Sequence, residues 1–531
     1  MKTYFIGIDF GTTNTIISYL HNNNLEAFQY GGPDGQKYIP SFVAYDEDFV
    51  EIGSSARETA ASQPEIECYA NFKMRLPLFE FEFRSLFQNG RTPSDVIKDY
   101  LNELLLSSDN DFSFTKQQGK IGGIVVSVPE IWQRDINNKG RENLQRIIQT
   151  ELGFGDKLIQ LVSEPVAAAA YYIWENQKRA IFSKKKPFSG NLLVCDMGGG
   201  TFDVSLCRIH DGCSIEVLYF DGEGDKGLES AGVAFDKKCV EAAYMRKHGK
   251  PINELSAEFK VLMRAFENRK ISGHNKFTKK LQKYFQKIAS LLGGEALYNF
   301  GDGYSITYEE VEQAFKPISE GIEVVINRVK HYLSDNNLDF DRLFFVGGFC
   351  QFYLVQKSIF QALSIEDNDS RHDKSFSITN SAYAISYGAC LIANKLISPS
   401  EKFIHSLGIF INRQESIATM RGIKTETIEI PITLIPHNTS SEELLNPIFE
   451  EKALVAHHPS FSVKIWIQSP SNPEKFIVEQ SVDLPNFSEL ARYRVGMKIN
   501  LSQIAYLIIE EIESAERAEY ELGNIISKYK N

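Results

Sequence analysis

A short stretch is used twice in this chain, and that repeat constrains the fold more than any other feature. IGIDFGTTNTIIS occupies residues 6–18 and LVCDMGGGTFDVS residues 193–205. Asp9 superposes on Asp196, and Gly11 on Gly198. Each copy is an apolar run, an Asp, a turn rich in Gly and Thr, and a second run that alternates. That is the pattern of a β-hairpin whose tip comes close to something. Glycine lets backbone N–H groups approach an anion, and threonine hydroxyls add donors. An Asp beside those donors suits a phosphate with a bound magnesium, the carboxylate holding the metal's waters. Asp-x-Gly turns also occur in ordinary strands. Recurrence at domain-scale spacing is what points to a duplicated lobe closing two hairpins on one nucleotide.

The chain has 531 residues, enough for several domain-sized units. Apolar residues make up 43% and charged residues 24%, so a large core is available. A net charge of −12 argues against a dominant nucleic-acid surface. The seven cysteines, Cys68, Cys195, Cys207, Cys213, Cys239, Cys350 and Cys390, are odd in number and form no CxxC pair. They read as buried free thiols in a reducing compartment rather than as a zinc site or disulfide framework. Asp9 interrupts the first apolar run too early for a signal peptide, and no window reaches the length of a membrane span. The expectation is a cytoplasmic protein with neither a membrane nor a nucleic acid as partner.

Strand and helix patterns alternate over the first part of the chain, which argues for α/β sheets. IPSFV at 39–43 reads as a strand and residues 57–63 as a polar helix. In CYANFKMRLPL, residues 68–78, Lys73 sits among apolar and aromatic neighbours, where a snorkelling surface lysine is one reading. Residues 94–107 carry a helical apolar stripe after a Ser cap. IGGIVVSVPEIW, 121–132, is a buried strand ended at Pro129, and 141–152 is a helix stopped by Gly153. LIQLVSEPVAAAAYYIW, 158–174, is a strand, a turn at Ser163-Glu164-Pro165, and a helix with Pro in its first turn. Glu164 thereby falls at a strand's C-terminal end, where ligands lie in such folds. KKKPFSG at 184–190 joins the two lobes and reads as a solvated loop. A Gly-rich crossing at 222–232, a polar helix with Glu267 and Lys270, a strand ending in Gly347-Gly348, and a small-residue helix at 381–397 follow. After a break at Ser398-Pro399-Ser400, short alternating runs form an all-β segment. From Glu510 the tail is acidic, either a solvated helix or a last strand plus tail.

IGIDFGTTNT, SEPVAAAAYY, VCDMGGGTFDVS and FFVGG, in this order, resemble the seventy-kilodalton heat-shock chaperones, proteins of the DnaK type. The first and third motifs also fit the wider actin and sugar-kinase superfamily. The alanine run after Glu164-Pro165 and the Thr-Phe-Asp after the glycines are more specific. SLGI at 406–409 and LIPHNTS at 434–440 look like the opening strands of those chaperones' β-sandwich. The resemblance implies an α/β, duplicated actin-like ATPase domain, two lobes around a nucleotide cleft, followed by a small all-β sandwich-like domain. It places the first lobe at about 1–187, the second at about 188–397, a linker at 398–405 and the truncated substrate-like domain, with its acidic tail, at 406–531.

The same resemblance implies that Gly11, Thr12 and Thr13 hold phosphates from one side, and Gly198, Gly199, Gly200 and Thr201 from the other. Asp9 and Asp196 would bind magnesium through water. Lys73 matches the catalytic lysine that positions the attacking water and γ-phosphate, and Glu164, Thr201 and Asp203 join Asp196 in the polar network around that water. Glu267 and Lys270, three apart on one helix face, match residues that touch the nucleoside, with a surface ion pair as the other reading. Gly347 and Gly348 match glycines beneath the adenine. The cofactors implied are ATP or ADP with magnesium. The partners implied are a polypeptide client or a dedicated protein, with a co-chaperone or exchange factor.

The chain departs from the family pattern at several places. Phe349-Cys350-Gln351-Phe352 stands where the family has a Ser and then a base-stacking Arg, Asn380-Ser381-Ala382 where it has an Asp, and Asn14 where a Tyr is frequent. The linker SPSEKFIH at 398–405 lacks the family's run of Leu and Val. The segment after Ile411 is longer and more polar than the peptide-clasping loops, and the chain ends where the helical lid would begin. Three functions remain open on this reading: a slowly hydrolysing, ATP-binding chaperone-like protein; a nucleotide-dependent scaffold or regulator without a general chaperone cycle; and a small-molecule kinase, against which the β-sandwich motifs argue.

Overall fold

The computed structural model describes residues 2–522 apart from 33–34, 47–48, 64, 79–89, 131, 133–138, 185, 211–213, 224–230, 255, 289–292, 302, 367–368, 374–377, 401, 404, 420–421, 438, 441, 456–457, 470–471, 489–490 and 503. Most of the Gly-rich crossing at 222–232, Ile404 of the linker and the chain's last residues therefore lie outside the described residues. The chain divides into two compact units. One comprises 1–131 and 144–399, the other 132–143 and 400–531.

The first unit contains two sheets with one plan. In the first sheet β1 (Thr3–Phe10) pairs antiparallel with β2 (Asn14–His21), which pairs with β3 (Asn24–Ala27). On its other side β1 runs parallel to β4 (Lys120–Val128), and β4 to β5 (Leu158–Ser163). In the second sheet β6 (Gly190–Met197) pairs antiparallel with β7 (Phe202–His210), β7 with β8 (Ser214–Glu223), and β6 runs parallel to β9 (Arg342–Val346). The orders β3-β2-β1-β4 and β8-β7-β6-β9 are the same, which is the duplication that the two hairpin sequences announce. The central strands read as unbroken apolar runs because helices cover them.

Helix α1 (Glu164–Ser183) follows β5 directly, with Pro165 in its first turn. Its alanines, Ala167 to Ala170, are fully buried. Helices α2 (Gly232–His248), α3 (Ala257–Ser272) and α4 (Tyr308–Asp335) build the outer part of the second lobe around Phe235, Phe266, Phe315 and Phe352. The last helix of the unit, α5 (Ile378–Ala393), returns to the first sheet. It approaches closely enough that a Cβ on Gly388 would lie 1.6 Å from the Ala167 carbonyl oxygen, and one on Gly7 2.1 Å from the Cys390 nitrogen.

Some local readings shift. The stripe at 94–107 starts earlier, at Pro93, because Thr92 is the cap: its hydroxyl accepts from the Asp95 N–H while Asp95 accepts from the Thr92 N–H. The strand expected at 39–43 is split into Ile39–Pro40 and Phe42–Asp46, which belong to different sheets. Ser398-Pro399-Ser400, expected as a break, is a short strand at the free edge next to β8. Proline is tolerated there because an edge strand needs no N–H on its outer side.

The second unit is a sandwich of two antiparallel sheets. One has the order β11-β10-β12-β13: Gly422–Ile435, Ser406–Thr419, Ser460–Ser469 and Asn472–Asp483. The other is built on β14 (Arg492–Ile499), β15 (Ala505–Glu511) and β16 (Arg517–Glu521), with Ile448–Phe449 and Leu454–Val455 beside β14. Ile409, Ile465, Ile467, Tyr493, Met497 and Leu507 meet between them. The segment after Ile411 is no loop: β10 and β11 stay paired from Leu407 with Ile435 out to Thr419 with Gly422. The start of the acidic tail is internal too. Glu510 is 2% exposed and is clamped by Arg494 and Arg517, each at 2.5 Å, so the alternation of β15 outweighs the charge pattern.

Candidate active site

The two hairpins present their tips to each other. In the first, the tight turn at Gly11 is braced by Ser41, whose hydroxyl donates to the Gly11 carbonyl at 2.7 Å and whose N–H donates to the Thr13 carbonyl at 2.9 Å. In the second, the carbonyls of Gly198 and Gly199 accept N–H groups from Gly232 and Val233 at the start of α2. A Cβ on Gly200 would lie 2.5 Å from Thr12 Oγ1 and 2.9 Å from Met74 Sδ, and one on Gly199 2.7 Å from Thr13 Cγ2. Glycine at these positions is what lets the tips approach. Around Gly198 there is open space.

Behind the tips lies a cluster of carboxylates with one lysine. Asp9, on β1, accepts from Ser127 Oγ of β4 at 3.2 Å. Asp196 and Asp203 face each other across the β6–β7 register. Asp203 Oδ1 accepts the Glu130 N–H at 2.9 Å. Glu164 opens α1. Lys73, in a short 3₁₀ helix Phe72–Arg75 that follows the left-handed Asn71, is 2% exposed and donates to Glu164 Oε1 at 2.5 Å. A buried lysine tied to a buried glutamate excludes the snorkelling surface reading.

These charges disturb one another. Burial, then the Glu164 charge, pushes Asp9 up to about 7 while Lys73 pulls it back. Burial and Glu164 push Asp203 up to about 8, against the hydrogen bonds from Thr201 and Glu130. Asp196 is raised well above the carboxylate range by burial and by Glu164, Asp203 and Asp9 together. Asp196 Oδ1 and Asp203 Oδ2 are buried and have no hydrogen-bond partner. Carboxylates so arranged are short of positive charge. Among the described residues no three His, Cys, Asp or Glu side chains stand close enough to bind a metal directly.

The remaining candidate residues belong to the second lobe, Glu267 and Lys270 on α3 and Gly347-Gly348 just after β9. Gly347 has φ +78 and packs beside Asp196, where a Cβ would lie 2.4 Å from Asp196 Oδ1; Gly348 borders open space. Lys270 does not pair with Glu267. Its ammonium is held by both oxygens of buried Asp236, at 2.6 and 2.7 Å, 5.1 Å from the centre of the Phe349 ring. Glu267 instead lends its field to Arg57 of the first lobe. Phe349 and Phe352 stack on each other at 5.4 Å and are buried in the core of the second lobe, so neither offers a free face to a base. Asp236, Ser127 and Glu130 were not legible as part of the site. The available signal for Asp236 was a lone charge on the apolar face of α2, between Phe235 and Cys239.

Among the described residues no helix is long and apolar enough to cross a membrane. The family model described as Hsp70 protein matches residues 5–76 and 114–444, well over half of the chain. Chaperone protein DnaK of Mycoplasmopsis synoviae is 23% identical over 461 residues, covering 85% of this chain and 67% of its own length. A Chaperone protein HscA homolog of Shewanella baltica is 27% identical over 243 residues, covering 42% of this chain and 35% of its own. Chaperone protein HscA of Xenorhabdus nematophila is 26% identical over 232 residues, covering 41% and 34%. The chain thus spans about a third of the HscA relatives' length. With α/β sheets of duplicated order, facing Gly/Thr hairpins and a β-rich second unit, the chain belongs to the Hsp70 protein family.

Proposed function

We propose that this protein binds ATP between the two hairpin tips, hydrolyses it slowly to ADP and phosphate, and acts as a chaperone-like protein on a polypeptide client or a dedicated protein partner in the cytoplasm. The observation that carries this reading is the meeting of Gly199 and Gly200 with Thr12 and Thr13 in front of the buried Lys73–Glu164 pair. On this reading Gly11, Thr12 and Thr13 face Gly198, Gly199, Gly200 and Thr201 across the phosphates. Lys73 holds the γ-phosphate and the attacking water in line, and Glu164 fixes the ammonium. Glu267, Lys270, Gly347 and Gly348 border the nucleoside. Hydrolysis is then mostly positioning plus electrostatic stabilisation inside a dry cleft.

The orphaned oxygens of Asp196 and Asp203 fit a bound cation. Asp9 and Asp196 would hold magnesium through its waters, and the ion would neutralise charge developing on the phosphate oxygens. Binding of ATP, followed by calorimetry, is expected to weaken by about tenfold or more in chelator and in Asp196→Ala. Unchanged binding under both conditions removes the site from this cleft.

Coupling between nucleotide and the β unit is expected to be weak. A ligand shifts an equilibrium only through contacts that differ between its states. Of the two apolar side chains that the linker offers, Phe403 is 3% exposed and belongs to the core of the second unit, while Ile404 lies outside the described residues. ATP turnover is expected to change by less than about twofold on adding an unfolded peptide. Many-fold stimulation would restore a general chaperone cycle; its absence favours a regulator with one dedicated partner.

A further inference from the structure

The far end of α1 carries an exposed apolar pair inside a basic stretch. Ile181 is 78% and Phe182 94% exposed, more than any other large apolar side chain among the described residues. The sequence around them, KRAIFSKKK at 178–186, has five cations and no acid. Lys178, Lys184 and Lys186 are exposed. The helix ends at a left-handed Lys184, and the chain turns back at once, the Phe188 N–H bonding Asn176 Oδ1 at 2.8 Å. The pair therefore rides on a tip that is closed at its base. Lysines near a helix C-terminus also suit the local dipole.

We propose that this tip is a peripheral contact site for an anionic lipid surface. Aliphatic and aromatic side chains flanked by lysines enter the headgroup boundary, while the lysines meet lipid charge. A protein partner fits less well. A stable protein interface takes about 800 Å² from each side with matching shape, and two side chains on a convex tip offer little of that. A bilayer needs no matching shape. Against a net charge of −12 the cations of this tip give a local attraction to such a membrane, and contact through it is weak and reversible.

The test is co-sedimentation of the full chain with phosphatidylcholine vesicles made with and without phosphatidylserine. Binding is expected only with phosphatidylserine. It should fall by about tenfold or more in Ile181→Ser with Phe182→Ser, and again in Lys184→Glu with Lys186→Glu. Both double variants alter exposed positions and should bind ATP as the parent does, which checks folding. No sedimentation with phosphatidylserine, equal sedimentation with phosphatidylcholine alone, or binding that both variants retain overturns the proposal. So does capture of a polyglutamate peptide, lost in the variants, without vesicle binding; that result assigns the tip to an acidic protein.

Discussion

Lys73→Ala is expected to retain ATP and to hydrolyse it at least about a hundredfold more slowly, the usual scale for losing one preorganised electrostatic partner. The Lys73 charge opposes the rise of all three carboxylates Asp9, Asp196 and Asp203. It is held by Glu164 in a place where water does not screen it. Alanine removes the group that would fix the γ-phosphate and leaves Glu164 as an uncompensated buried acid beside the reaction. The hairpin tips, which supply binding, are untouched. Single-turnover measurement with labelled ATP, paired with a binding titration, decides the matter. Hydrolysis at the parental rate would make the Lys73–Glu164 pair a structural strut. Glu164→Gln should give an intermediate loss, since the lysine stays but loses its anchor.

Gly388→Val should unfold the first unit at a temperature well below that of the parent. A Cβ at Gly388 meets the Ala167 carbonyl at 1.6 Å, and the neighbour is backbone rather than a movable side chain. Overpacking costs typically about 1–3 kcal/mol, and a clash against backbone puts this case at the upper end. Relief would require α5 to lift from α1 and from the first sheet, breaking the hydrogen bond of 2.8 Å between Ser18 of β2 and Ser386. A thermal scan by circular dichroism gives the answer, with Gly388→Ala as the milder case. An unchanged melting profile would mean that this helix crossing is loose.

How much of this could be read beforehand depends on whether the determining contact was local. The hairpins were legible because strand, turn and strand follow one another along the chain and the glycines of the turn are local to it. Lys73 was ambiguous for the opposite reason: its partner Glu164 lies 91 positions away. The ion pair read as one alternative for Glu267 and Lys270 fails for the same reason, since Glu267 is nearer along the helix but Asp236 is nearer in space. The segment after Ile411 read as polar along the sequence; the paired strands satisfy the backbone regardless of side chain. At Glu510 a solvated helix and a last strand were both open; the strand holds, with two arginines from neighbouring strands beside it.

The return of α5 to the first sheet also sets an order of events during synthesis. The Phe5 carbonyl accepts from Asn394 Nδ2 at 3.0 Å, and Gly7 is shaped to receive the backbone at Cys390. The amino-terminal lobe thus lacks one of its layers until the end of α5 has left the ribosome. At about 5–20 residues per second, most of the second lobe is made while the first still exposes an apolar sheet face. The first lobe then cannot finish as an independent early domain, and a nascent chain cut short before α5 should be a substrate for chaperones itself.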